Sequence, residues 1–242
     1  MHVTGASAVT VLRHGSTRLR LMPWQGSIST AYIAAIPGAE PVESAAVEVA
    51  CEHLARQGYN HVVTGALSVS DQWGFLDAGF SERERLQLLS CDLGLVTARV
   101  AAVRLRRGRD RDLVDVLGLD ALAFEPFWQI DAAGLVEARN ATPSSRFRVS
   151  LSSSSVTGYA VTGRSGRNGF LQRLAVHPDA IGQGFGRALV HDGLRWLHRR
   201  GVDTVFVNTQ FANDRARRLY EAVGFRRSND DLVVLQRSLS PQ

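Results

Sequence analysis

Residues 174–189 read LAVHPDAIGQGFGRAL. A short apolar run ends near Val176, glycines follow at positions 182, 184 and 186, and a helical apolar pattern starts at once. A strand that turns through glycines straight into a helix gathers the amides of residues 182–187 in one concavity. That concavity lies at the positive end of the helix dipole and suits a pyrophosphate. Glycine there allows close backbone approach and unusual dihedrals. Taken locally, the same pattern also fits a plain turn and helix start. It is not a dinucleotide fingerprint, because the third glycine comes too early and no acidic βαβ residue follows. It is not a P-loop either, since that loop needs a lysine and the chain has none.

Working outward, Leu189, Val190, Gly193, Leu194 and Leu197 share one face of a helix that ends at Gly201. A strand is expected over 204–208, a helix over 213–223 stopped by Gly224, and a last strand over 232–237 buried on both faces. Upstream, strands are expected over 144–151, 156–162 and 169–176, with the serines at 152–155 forming a hairpin connection. Before them, a long strand over 96–106 leads to a helix capped by Asp110 or Asp112, with Leu113, Val116, Leu117 and residues 119–122 as its apolar face. Residues 124–128, FEPFW, break that pattern as a loop, and a second helix spans 131–140. The first third reads as strands over 9–12, 18–22 and 32–36, a helix over 43–57, a strand over 61–64, a short helix over 71–78 and a strand region over 86–95.

With 242 residues, 45% of them hydrophobic and 21% charged, the chain can build one large packed domain or two small ones, and wholesale disorder is excluded. No apolar run approaches the roughly 18 residues of a membrane span. The N-terminus lacks a basic stretch followed by an apolar core, so no secretory signal is expected. Two cysteines, Cys51 and Cys91, are too few for a disulfide framework and fit a reduced, cytoplasmic setting. All 28 basic residues are arginine, as a GC-rich coding sequence would give. Residues 1–95 hold 6 Arg against 9 acids, and residues 96–242 hold 22 against 14. The basic part suits an anionic ligand such as a nucleotide cofactor. No aromatic stacking series accompanies the arginine runs at 104–111 and 195–200, which argues against nucleic acid.

The two parts of the chain echo each other. GYNHVVT at 58–64 resembles GVDTVFV at 201–207, and FLDAGF at 75–80 resembles YEAVGF at 220–225. Matching order at a spacing of this size points to duplicated domains and not a solenoid, the alternative being a chance likeness between two helix–strand units.

The segment NDRARRLYEAVGF at 213–225 adds a second motif. Together, residues 170–237 resemble the acetyl-CoA-binding core of the GNAT superfamily of N-acetyltransferases. The likeness rests on Val176, Pro178, Gly184 and Gly186 in the first motif, and on Asn213, Ala216, Leu219, Tyr220, Gly224 and Phe225 in the second. It departs at Ile181, where the family prefers Arg or Gln. The resemblance implies an α/β (α+β) chain with the acyl-CoA N-acyltransferase fold, a mixed central β-sheet flanked by helices, in two GNAT-like units. Residues 1–98 would be a degenerate unit and residues 99–242 the catalytic one. In place of the glycine loop the first part has IPGAEPVE at 36–43, where prolines remove amide donors and acids repel phosphate. Phe75 stands where Tyr220 stands. A similar tandem plan occurs in mycothiol synthase-like proteins.

The resemblance further implies an acetyl-CoA-dependent N-acetyltransferase acting on a primary amine of a small molecule, peptide or protein. Leu174, Ala175 and Val176 would pair with the pantetheine arm and polarise the thioester carbonyl. Gly182, Gln183, Gly184, Phe185, Gly186 and Arg187 would hold the pyrophosphate. Asn213 would touch the cofactor arm, or serve simply as an N-cap. Tyr220 would protonate the leaving thiolate. The strand before the cofactor offers Gln172 where a Glu is common, so the base is sought elsewhere: Glu125, directly or through a water, or less readily His177. Glu125 has a surface or specificity role as its alternative. Phe124, Phe127 and Trp128 would line the acceptor wall or simply pack in the core. The seven histidines show no metal-ligand spacing. The competing reading is a non-catalytic acyl-CoA-binding or scaffold protein.

Overall fold

The computed structural model describes residues 9–36, 41–95, 103–153 and 155–239. Contacts divide the chain into two compact units, one of Met1–Gln87 with Asn229–Gln242 and one of Leu88–Ser228.

In the first unit, β1 (Thr10–His14), β2 (Thr17–Pro23) and β3 (Thr30–Ala35) form antiparallel hairpins. The helix α1 (Ser44–Arg56) then crosses over, so β4 (His61–Leu67) lies parallel to β3. The short α2 (Trp73–Asp77) follows, and β5 (Ser81–Asp92) begins in this unit. The core follows from two periodicities. Leu19 and Leu21 alternate inward from β2, as do Ala31 and Ile33 from β3. Ala46, Val47, Ala50, Cys51 and Leu54 recur at helical spacing on α1. β4 also takes an antiparallel partner from the far end of the sequence, β11 (Arg226–Ser238), whose Val233, Leu235 and Leu239 enter the same core.

The second unit is a mixed sheet with helices on both faces. Its strands are β6 (Arg104–Arg107), β7 (Ser144–Ser152), β8 (Ser155–Ser165), β9 (Asn168–Val176) and β10 (Thr204–Gln210). The order is β10-β9-β8-β7-β6, and residues 88–92 of β5 lie beside β10. On one face α3 (Leu113–Ala123) and α4 (Ala132–Asn140) cover Phe147, Val149, Tyr159, Val161 and Ala175. On the other, α5 (Phe185–His198) and α6 (Asp214–Val223) cover Leu89, Cys91, Leu171, Val205 and Val207.

The two units repeat one plan. The run β1-β2-β3-α1-β4-α2 matches β7-β8-β9-α5-β10-α6 in order and type, and each unit completes its sheet with a strand from the other half of the sequence. Several expectations change in detail. The division falls at Gln87/Leu88 and not at 98/99, and residues 229–242 join the first unit because β11 hydrogen-bonds to β4. The short helix expected over 71–78 is a 3-10 turn at Val69–Asp71 followed by α2. The FEPFW loop contains a 3-10 turn at Pro126–Trp128, started by its proline. Of the strand expected over 96–106, residues 96–102 lie outside the described residues, and β6 supplies Arg104–Arg107. The last strand is fully buried only at Val233–Leu235, since its first half is polar and solvent-facing.

Residues 99–242 expressed alone will keep β11 without β4, and will lack the Leu89, Cys91 and Leu93 side chains that fill the α5/α6 core. We expect that fragment to aggregate or to lose its cooperative urea transition, because an apolar strand edge is left open. A monodisperse fragment with the full-length midpoint would contradict the strand assignment.

Candidate active site

β9 and β10 pair in parallel at only three positions, Asn168 with Thr204, Gly169 with Val205 and Phe170 with Phe206. The last pair also stacks its rings, with centroids 5.9 Å apart and planes at 29°. Beyond it, residues 171–176 of β9 and 207–210 of β10 carry no mutual pairing. The sheet therefore opens into a wedge lined by unpaired backbone groups. Such groups bind an extended ligand with amide character much as a strand would. On its other side β9 stays paired with β8 as far as Val176, so the wedge is fixed from one flank. That ladder carries a β-bulge: Val161 faces Arg173 while Thr162 faces Leu171, which leaves Gln172 as the extra residue.

At the end of β9 the chain makes a 3-10 turn, Pro178–Ala180, and then enters α5 through Gly184. Gly182 and Gly184 have φ of 81° and 88°, and Gly184 is the N-cap. A Cβ at Gly182 would meet nothing within 4 Å, so that position needs glycine for its backbone conformation and not for space. Gly186 is the opposite case: a Cβ there would lie 3.2 Å from Leu219 Cδ2 and 3.5 Å from Val176 Cγ2, so its lack of a side chain lets α5 sit close to α6 and β9. No side chain caps the N-terminus of α5. Its first-turn amides thus lack intrahelical acceptors and point outward at the positive end of a 14-residue helix. Phe185 is buried and anchors the turn, while the Gln183 side chain donates from Nε2 to Asp179 O at 2.9 Å and Arg187 Nη2 donates to Ala222 O at 3.4 Å.

Tyr220 lies on α6, which follows β10. It is 6% exposed and packs against Phe225 at 5.7 Å between centroids. Burial alone pushes its pKa up, so the phenol stays protonated through the neutral and mildly alkaline range. Asn213 is the N-cap of α6, its Oδ1 accepting from Ala216 N at 3.1 Å. Glu125 is exposed at the start of the Pro126–Trp128 turn, where its carbonyl accepts from Trp128 N and Gln129 N. His177 Nδ1 accepts from Asp179 N at 3.3 Å. The structure therefore brings Leu174–Val176, the 182–187 turn and α6 around one end of β9, and holds Glu125 on the α3/α4 side of the sheet.

Three residues outside the expected set, Asp120, Tyr159 and Arg173, form a buried, multiply bonded polar group. Asp120, fully buried on α3, accepts from Tyr159 Oη, from Arg173 Nε at 2.9 Å and Nη2 at 2.7 Å, and from Ile130 N at 2.9 Å. Arg173 Nη2 also donates to Trp128 O at 2.7 Å, and its guanidinium lies 3.6 Å from the Phe124 ring centroid. The sequence signal was present in outline: an Asp inside the apolar run LGLDALAF and an Arg inside the strand FLQRLAV, each out of place unless paired. Among the described residues no group of three or more His, Cys, Asp or Glu is placed to hold a metal, and no helix is long and apolar enough to cross a membrane.

Residues 113–225 match the acetyltransferase (GNAT) family model. A mycothiol acetyltransferase of Thermobispora bispora is 41% identical over 71 residues, covering 29% of this chain and 24% of that protein. The [ribosomal protein bS18]-alanine N-acetyltransferase of Escherichia coli K12 is 42% identical over 55 residues, covering 23% of this chain and 37% of its own length. The chain thus spans about a quarter of the length of the first of these relatives and little more than a third of the second. Among solved structures, a tandem GNAT protein from the clavulanic acid biosynthesis pathway superposes with a TM-score of 0.69 at 16% identity, over 96% of this chain and 82% of that one. The last likeness is one of fold.

At Gly184 a left-handed φ is required, so Gly184→Ala should cost about 1–2 kcal/mol of stability. Urea denaturation checks this, and an unchanged midpoint would show that the turn has other conformations open to it.

Proposed function

We propose that this chain, a member of the GNAT superfamily through residues 113–225, is an N-acetyltransferase that moves the acetyl group of acetyl-CoA to a primary amine. The observation that carries the reading is the wedge between β9 and β10, closed at one end by the stacked Phe170 and Phe206 and followed by the uncapped N-terminus of α5. These features suit the two chemically distinct parts of acetyl-CoA. The pantetheine arm is an extended chain with two amides, and the unpaired edge at Leu174, Ala175 and Val176 supplies matching donors and acceptors. The pyrophosphate is a compact dianion, and the amides of Gly182, Gln183, Gly184, Phe185, Gly186 and Arg187 meet it with positive dipole charge. Asn213 spends its Oδ1 on the cap and keeps its amide nitrogen for the cofactor arm.

In the reaction a neutral amine attacks the thioester carbonyl. A backbone amide of β9 stabilises the developing oxyanion. The thiolate leaves, and Tyr220, a buried acid with a pKa held up by desolvation, gives it a proton. Glu125 is the proposed base, receiving the amine's proton directly or through a water. The acceptor stays at the level of a primary amine of a small molecule, peptide or protein, because the names of the two relatives point to different acceptors.

The first unit is read as a cofactor-free copy. β3 pairs with β4 up to Ile33 and ends at Ala35, so among the described residues it extends only two residues past its last partner, against six in β9. The N-cap of α1 is Glu43, whose carboxylate accepts from Ser16 Oγ at 2.9 Å and whose amide donates to Thr17 Oγ1 at 3.1 Å. An acid there repels a phosphate. Phe75 is fully buried against Phe80 and offers no acid. Residues 37–40 of the segment that replaces the glycine loop lie outside the described residues.

Calorimetry should therefore give one acetyl-CoA site per chain, abolished by Gly184→Glu. Two equivalent sites, or unchanged affinity in that variant, would overturn the assignment. Tyr220→Phe should keep acetyl-CoA affinity and lose roughly 10²–10⁴-fold in rate, the usual contribution of a positioned general acid. Acyl-CoA binding by the wild type with no CoA release across a broad panel of amines and peptides would favour a non-catalytic binding protein.

A further inference from the structure

We propose that Arg173 and Asp120 are positioning residues that clamp the Phe124–Ile130 segment to β9 and so fix the wall against which the acceptor amine is held. The inference rests on the acetyl-transfer reading above and concerns the acceptor side of that site.

Arg173 immediately precedes Leu174–Val176, the stretch of β9 assigned to the thioester. The bulge at Gln172 matters here, because β9 turns Leu171 to the α5/α6 core yet sends Arg173 to the opposite face. On that face Nε and Nη2 of the guanidinium are both engaged. Nε and Nη2 fork onto Asp120, Nη2 also reaches Trp128 O, and one flat face lies against Phe124. Asp120 in turn accepts from Ile130 N. Two backbone groups of one short segment, the carbonyl of Trp128 and the amide of Ile130, are thus tied to the same buried ion pair. Gln129 adds a local tie, its Nε2 donating to Ala121 O and Phe124 O at 3.0 Å each. The segment between these ties carries Glu125, Phe127 and Trp128.

A hydrophobic pair would fill the space without dictating where a carbonyl lies. The planar fork of Arg does dictate it, because its donors are fixed relative to each other. The pair therefore transmits the position of β9, and with it the position of the thioester, to the segment that holds the proposed base. Acetyl-CoA itself touches other atoms, so the clamp should matter to the acceptor step and not to cofactor affinity.

The test is Arg173→Lys. Lysine keeps the buried charge that Asp120 needs, but a single ammonium can neither fork on the carboxylate and reach Trp128 O nor stack on Phe124. Hydrogen exchange in the full chain should then accelerate at least about tenfold across 124–130 and stay unchanged across 182–198. With the amine that gives the fastest CoA release, KM for that amine should rise about tenfold or more, while acetyl-CoA Kd stays within about twofold. Should the Lys variant fail to fold, Phe124→Leu removes only the ring beside the guanidinium and should move both readouts the same way by roughly threefold. Unchanged exchange at 124–130, an unchanged amine KM, or an equal loss of amine and acetyl-CoA affinity overturns the clamp. Absence of acetyl-CoA binding or of any amine turnover in the wild type overturns instead the acetyl-transfer reading, and the exchange result separates the two failures.

Discussion

The parting of β9 from β10 after Phe170 and Phe206 is the constraint on which the rest of the second unit depends. A parallel pair normally continues for as long as both strands last, because every unpaired backbone group in a protected place costs free energy. Here β9 runs six residues past its last partner in β10, and the unpaired edge persists because other contacts fix both strands. β9 is held by its ladder to β8, and β10 is held by Val205 and Val207 in the α5/α6 core. The stacked phenylalanines mark where the strands separate. A ligand with its own amides can then take the place of the missing strand, which turns a structural cost into a binding edge.

The surrounding elements converge on that opening. Glycines at positive φ let the chain turn from β9 into α5 within a few residues, which puts the helix N-terminus at the mouth of the wedge. Gly186 lets α5 close on α6, the helix that carries Tyr220. On the far face the buried Asp120–Arg173 pair ties the Phe124–Ile130 segment to the same strand. Such a pair adds little net stability against an apolar replacement, yet removal of one member costs about 3–5 kcal/mol. Its worth lies in geometry.

The glycine turn, the strand before it and the helix after it were legible because their signals are local: a dihedral that only glycine tolerates, an apolar run and a 3.6-residue period. The repeat was legible for the same reason, since GYNHVVT and GVDTVFV carry equivalent strands, β4 and β10. The strand partners were not. Nothing in the residues of β11 says that it pairs with β4, because an apolar strand fits any edge of suitable length, and so the division at 98/99 was drawn along the chain and not through its contacts. Asp120 and Arg173 each stand out in an apolar run, but their pairing was not legible because they lie 53 residues apart and nothing local joins them. For Asn213 and Glu125 the structure shows the plainer of the two places that the sequence left open, an N-cap and an exposed turn residue.

The role of the β9/β10 opening depends on where acetyl-CoA sits. Hydrogen exchange of the full chain, with and without saturating acetyl-CoA, measures this directly. Protection is predicted at residues 171–176 and 182–187, where a ligand would occupy the free edge of β9 and the first amides of α5, with no change across residues 30–35 and 44–56 of the first unit. Protection in the first unit, or none on β9, would contradict it.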